Sequence, residues 1–154
     1  MGLDMYLKVS YYLSDWSHDK ESDNSRMYRD LVSKLGAPTT DRVPSLTVNV
    51  NCVYWRRANA IHKWFVDTLA NGVDECQPIY VTKENLHTLV SLCEQVLADP
   101  TRAEELLPTT SGFFFGGTAY DEWYMEDIKH TKESLDRVIS ETNDTVDFEY
   151  VASW

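Results

Sequence analysis

This chain has no run of about 18 apolar residues, so no membrane-spanning helix is expected from it. Cysteine is scarce: Cys52, Cys76 and Cys93 are odd in number and show no CxxC spacing. That argues against a disulfide framework or a zinc site and fits three free, mostly buried thiols in a reducing compartment. Basic residues are also few, 14 against 25 acidic, for a net charge of −11. Direct nucleic-acid binding is therefore not expected, and an anionic ligand needs a local basic cluster working against the overall field. The opening Met1-Gly-Leu-Asp-Met-Tyr-Leu7 has an acid at position 4 and Tyr6 where myristoylation favours Ser or Thr. It reads as neither signal peptide nor lipid anchor, and the expected location is cytoplasmic.

Aromatic residues, in contrast, are abundant: 5 Trp, 9 Tyr and 5 Phe among 154 positions. They need a core, an interface or a ligand pocket to receive them. A chain of this length suits one domain with a proper core. Leu3 to Tyr12 alternates as a strand, with Leu3, Met5, Leu7, Val9 and Tyr11 on one side. Ser14 to Ser25 reads as a mobile polar loop, and Met27 to Leu35 as a short helix with Met27, Leu31 and Leu35 inward, closed by Gly36. After a loop over Ala37 to Pro44, Leu46 to Val53 reads as a strand with Leu46, Val48, Val50 and Cys52 inward.

The stretch Tyr54-Trp-Arg-Arg-Ala-Asn-Ala-Ile-His-Lys-Trp-Phe-Val66 then organises the rest. As a helix it sets Ala58, Ile61 and Phe65 on an apolar stripe, with Trp55 at its upstream end. Arg56, Asn59 and Lys63 run beside the stripe and His62 lies on its other edge, placed to converge on one object. Arg56, Arg57 and Lys63 form the local basic cluster. This helix is expected to end near Gly72, with Ile79 to Val81 a short strand. Thr82 then N-caps a helix whose inward positions are Leu86, Leu89, Val90, Cys93, Val96 and Leu97. Thr101 to Leu107 is a helical turn or link, Phe113 to Phe115 a strand-like run, and Gly116-Gly117-Thr118 a turn. A last helix runs from Ala119–Asp121 to about Thr142, with Trp123 or Tyr124, Ile128, Leu135, Val138 and Ile139 inward, before a terminal strand over Val146 to Trp154. The sum is an α+β fold, one domain with a mostly antiparallel sheet of about four strands and about three helices.

A glycine turn before a helix can present backbone N–H groups to a phosphate or carboxylate. Phe115, Gly116, Gly117 and Thr118 are candidates for that contact, although a tight turn that packs three Phe side chains explains them equally well. Tyr120, Trp123 and Tyr124, next to the glycine turn and to acidic residues, form a polar-tipped aromatic edge of the kind that stacks on a flat ring. The ligand-binding candidates are therefore Trp55, Arg56, Asn59, His62, Lys63, Phe115, Gly116, Gly117, Thr118, Tyr120 and Tyr124. No catalytic motif, metal-ligand spacing or cofactor fingerprint occurs, so no catalytic residue, metal or cofactor is assigned.

Three signatures carry a resemblance. They are the opening heptapeptide, the Tyr54 to Val66 stretch, and Leu106-Leu-Pro-Thr-Thr-Ser-Gly-Phe-Phe-Phe-Gly-Gly-Thr118 with Tyr120-Asp-Glu-Trp-Tyr124. Together they resemble an uncharacterised family of small proteins from bacteriophage genomes and some bacteria. In that family the position of Arg57 is usually Lys or Arg, and that of Gly117 usually Ser or Gly. The resemblance implies a phage protein acting in the host cytoplasm, neutralising a host defence or adjusting host metabolism. The leading expectation is a binding protein that sequesters a nucleotide-like small molecule such as a defence signal, without chemistry, in a homo-oligomer. Two alternatives stand beside it. One is an acidic inhibitor of a basic host protein, and the other a hydrolase of a phosphorylated small molecule using Asp121, Glu122 or His62.

Overall fold

Alternating apolar residues, turn signals and helix caps build ten elements, seen in a computed structural model that describes residues 2–154. In chain order they are β1 (Asp4–Ser14), α1 (Asp23–Leu35), β2 (Ser45–Arg56), α2 (Asn59–Leu69), β3 (Ile79–Val81), α3 (Lys83–Ala98), a 3-10 turn (Pro100–Arg102), α4 (Ala103–Leu106), α5 (Glu122–Glu141) and β4 (Asp147–Ser153). The strands form one antiparallel sheet in the order β2-β1-β4-β3. The fold is α+β, as the sequence indicates. Among the described residues no helix is long and apolar enough to cross a membrane.

By contact density the chain sorts into two units, one of Met1–Val9 with Asn51–Trp154 and the other of Ser10–Val50. In the larger unit, period-2 alternation buries Met5, Leu7 and Val9 on β1, Val53 and Trp55 on β2, Ile79 and Val81 on β3, and Phe148, Tyr150 and Ala152 on β4. The pairing of β3 with β4 keeps this register, since Ile79 faces Tyr150 and Val81 faces Phe148 while Tyr80 faces Glu149. One face of this part of the sheet is therefore apolar and the other is polar. Helices α2, α3 and α5 contribute the remaining core, and α3 packs along α5. Helix α3 starts in a capping box formed by Thr82 and Asn85. Its Leu86, Leu89, Val90, Cys93 and Val96 are buried at the expected spacing, and Leu97 is partly buried.

Aromatic stacking holds the centre of this unit. Phe65 of α2 lies on Tyr150 of β4 with ring centroids 4.0 Å apart and planes 11° from parallel. Trp55 meets both rings from the side, and its indole N–H donates to Thr131 Oγ1 at 2.9 Å. The indole would otherwise be a buried unpaired donor.

In the smaller unit, Ser22 caps α1 by accepting from the Ser25 N–H, and Gly36 closes it at φ 62°. The helix thus begins at Asp23, inside the stretch expected as a loop, because Ser22 and Asp23 form a start signal that outweighs local polarity. Its buried residues are Ser25 and Tyr28, whereas Met27 and Leu35 are exposed. The Met27–Leu31–Leu35 stripe is not the inward face. Ser25 and Arg29 are both spent on Asp15: the Ser25 hydroxyl donates to its carboxylate, and Arg29 pairs with it at 2.7 Å. Both contacts pull the Asp15 carboxyl below the ordinary range, the serine contributing most.

Strand β2 corrects a second expectation. Leu46 and Val48 are half-buried, Val50 is exposed, and Val53 and Trp55 are buried, so the inward set changes from even to odd numbers along one strand. The change falls where β2 passes from one unit to the other. Each unit selects its own face of the same strand. Of the cysteines, Cys93 is buried, Cys52 is half-buried with its thiol against the Leu7 carbonyl, and Cys76 is exposed rather than buried.

Replacing Phe65 by Ala removes one member of the central stack and leaves a cavity against Tyr150. Urea denaturation is expected to show a loss of about 3–5 kcal/mol, and a loss below 1 kcal/mol would remove the stack from its central role.

Candidate functional site

The chain reverses direction between β2 and α2 within two residues, and this turn sets the site. Strand β2 runs to Arg56, so Trp55 and Arg56 are strand residues and the helix expected from Tyr54 onward begins only at Asn59. Alternation decides the matter: Val53 and Trp55 point into the core and Tyr54 and Arg56 away from it, which no helix could arrange. Arg57 then takes left-handed backbone at φ 58°. Its N–H donates to the Leu3 carbonyl at 2.8 Å, and its own carbonyl accepts from the Asn59 N–H at 2.9 Å. Arginine is an uncommon occupant of this conformation, which glycine or asparagine adopts at less cost.

Asn59, at the first turn of α2, is buried and ties down the loop between α4 and α5. Its amide donates to the carbonyls of Phe115 at 3.0 Å and Gly117 at 2.8 Å, and its carbonyl accepts from the Thr110 N–H at 3.0 Å. Thr109 adds its hydroxyl to the Thr118 carbonyl, Tyr120 accepts from the Thr109 N–H, and Tyr124 donates to the Leu107 carbonyl. The segment Phe113 to Phe115 is consequently a turn, not a strand. Gly116, at φ 84°, passes so close to Arg57 that an added Cβ would lie 3.3 Å from the arginine Cβ. Gly112 lies under the Phe115 ring, where an added Cβ would come within 2.6 Å. These two glycines are fixed by backbone shape and close approach respectively.

The turn, the loop and α5 enclose a cleft of about 570 Å³, within the usual range for small-molecule sites. Arg56, Arg57 and Asn59 reach it from the β2–α2 turn and Gly116 and Gly117 from the loop. From α5 come Asp121, Trp123, Tyr124, Glu126, Asp127 and His130. The charges are unevenly satisfied. Among the described residues, neither Arg56 nor Arg57 has a carboxylate within ion-pairing distance. The Arg57 guanidinium instead lies beside the Gly2 backbone, where an added Cβ would sit 3.3 Å from Nε. Asp121 is spent as the N-cap of α5, accepting from the Tyr124 N–H at 3.1 Å, so the start of that helix already has its anion. Asp127 is half-buried, and burial is the main reason its carboxyl is pushed up to about 6. His130 donates from Nε2 to the Tyr54 carbonyl, because a carbonyl can only accept.

Arg56, Asn59, Gly116, Gly117 and Tyr124 are thus brought together at the cleft, with the polar atoms of Asn59 and Tyr124 committed to holding the loop. Trp55 is in the core and Phe115 is buried beneath the loop. Lys63 pairs with Asp67 on its own helix at 2.6 Å. Thr118 and Tyr120 do not line the cleft. His62 is sealed off: Nδ1 meets the Tyr150 hydroxyl at 2.8 Å and Nε2 the Asp74 carboxylate at 3.0 Å, with Phe115 and Trp154 against the ring. Arg57, Trp123, Asp127 and His130 also line the cleft: Arg57 belongs to the expected basic cluster, Trp123 to the expected aromatic edge and Asp127 to the acidic start of α5, and of these four only His130 has no signal in the sequence. Trp123 is 80% exposed at the cleft, whereas its neighbour Tyr124 takes the inward position. Among the described residues no cluster of three or more His, Cys, Asp or Glu is arranged to hold a metal ion. No family model matches this sequence, and neither curated proteins nor solved structures give a match to it.

Two substitutions test the construction. Asn59→Ala unpairs two carbonyls and an N–H at once. It is expected to cost about 2–4 kcal/mol and to open residues 107–120 to limited proteolysis, whereas an uncleaved loop would show that the clamp is dispensable. Asp127 has its folded carboxyl raised above the unfolded value of 3.8. Its ionised form therefore opposes folding above about pH 6, and below about pH 4 both states are neutral and the effect vanishes. Thermal unfolding of Asp127→Asn should show a gain of about 1 kcal/mol at pH 8, discounted for partial exposure, and none at pH 3.

Proposed function

We propose that this cleft binds a nucleotide-like small molecule and holds it without chemistry. A phosphate group would sit on Arg56 and Arg57, and a flat ring would lie against Trp123. The observation that carries the reading is the pair of arginines left without a carboxylate in a chain of net charge −11, at a cleft of ligand size. With so many acids available, two adjacent guanidiniums standing unpaired are best explained by an anion that arrives from outside. The left-handed Arg57 supports the same reading, because strained backbone gathers where a side chain must be aimed. An exposed tryptophan at the cleft supplies a stacking face of the kind that binds bases. Taken with the resemblance to small phage proteins, the reading extends to sequestration of a host signal nucleotide in the host cytoplasm.

A second reading is favoured by Asp127, whose raised carboxyl shares the cleft with the arginines and would suit acid–base work on a phosphorylated ligand. Of the acid–base candidates Asp121, Glu122 and His62, Asp121 is spent as the α5 cap and His62 is buried outside the cleft.

Native mass spectrometry with a panel of nucleoside monophosphates and cyclic nucleotides tests both. An adduct recovered intact on denaturation is the expected result, and a converted product would establish turnover instead. The Arg57→Gly variant should lose the adduct while keeping, or gaining up to about 1 kcal/mol of, thermal stability, because glycine relieves the backbone at that position. Retention of the adduct by that variant would remove Arg57 from the site.

A further inference from the structure

A second group lining the same cleft points to the base that the ligand carries. Asp127 offers two carboxylate oxygens on the face of α5 that lines the cleft, one turn beyond Trp123. Among the described residues no side-chain donor outside α5 is bonded to those oxygens, and the Thr131 hydroxyl donates to the backbone carbonyl of Asp127 instead. The neighbouring acids differ from it. Asp121 is consumed as a helix cap, and Glu126 is exposed to solvent. The half-buried Asp127 carboxylate has no protein donor, so its oxygens depend on solvent in the cleft, and a ligand that displaces that solvent must bring donors of its own.

Of the common bases, guanine alone sets two donors side by side, N1–H and the exocyclic N2–H, at a spacing that matches one carboxylate. Adenine and cytosine would turn a ring-nitrogen lone pair toward the acid, and uracil has a single donor flanked by carbonyls. We infer that the ligand is a guanine nucleotide, its base edge on Asp127, its ring against Trp123 and its phosphate on Arg56 and Arg57. This rests on the nucleotide reading above and adds the base to it. Discrimination comes from attraction and repulsion together, since a base with the wrong edge leaves the carboxylate unpaired.

Isothermal titration calorimetry of the whole protein with GMP, IMP, AMP and UMP at pH 8 decides the matter. GMP is expected to bind about tenfold or more tighter than AMP and UMP, with IMP between them because it keeps N1–H and lacks the amino group. Asp127→Asn preserves shape, removes the charge and converts one acceptor into a donor. The GMP-over-AMP ratio should fall by about tenfold in it, while binding of AMP, which relies on the arginines and the ring, persists. Lowering the pH of the unmodified protein to 5 should erode the same ratio as Asp127 takes up its proton, provided the variant's ratio stays flat. Arg56, Arg57, Asp121, Glu126 and His130 also face this cleft and are all retained in Asp127→Asn, so a pH effect on the ratio that the variant lacks belongs to Asp127. Equal affinities for GMP and AMP, or a preference that survives Asp127→Asn, would overturn the guanine assignment and leave the nucleotide site standing. Failure of all four to bind would overturn both.

Discussion

Everything at this site depends on one buried amide. Asn59 is the first residue of α2, and its side chain holds three backbone groups of the loop that carries Gly116 and Gly117. An amide suits this work because it donates twice and accepts once from a single planar group, and no carboxylate or hydroxyl of that size can do so. With the loop held there, Gly116 lies against Arg57 and closes one side of the cleft, while Thr109 and Tyr120 secure the loop farther along. The two arginines are therefore displayed by a framework that uses other side chains for its own cohesion. That division of labour leaves both guanidiniums without a carboxylate partner among the described residues.

The larger unit was legible wherever period decided the structure. The 3-4 spacing from Leu86 to Val96, the alternation from Leu3 to Val9 and the cap at Thr82 all report burial directly, and they read correctly. The stretch from Tyr54 to Val66 was misread at its upstream end because aromatic and basic residues suit a helix face and a strand equally. Only the parity of Val53 and Trp55, which requires knowing the sheet, separates the two. Likewise Phe113 to Phe115 looks like a strand by composition, yet Phe113 is 93% exposed and Phe115 is buried with its carbonyl bound to Asn59. The governing contact is 56 residues away in sequence and leaves no local trace.

The members of the cleft were partly legible for the same reason. Arg56, Asn59, the glycines and Trp123 stand out by their chemistry, whereas Asp127 belongs to a helix whose acidic start has an ordinary explanation in the helix dipole. Asp121 and Asp127 both line the cleft, and that one is spent as the cap while the other keeps its carboxylate without a side-chain partner is a tertiary fact. His62 erred in the opposite direction. A histidine beside a basic cluster resembles a functional group, but between Asp74 and Tyr150 it serves as a buried strut joining α2 to β4 and to the segment that follows α2.

The same segment gives the protein a natural chemical handle. Cys93 is buried, with its thiol pushed up to about 12, and Cys52 is half-buried with its thiol also raised, so both stay protonated and unreactive near neutrality. Cys76 is exposed and lies two residues from Asp74, the anchor of that strut. A thiol-directed dye added to the unmodified chain will therefore collect at one position. The label then sits beside the strut with no engineered cysteine.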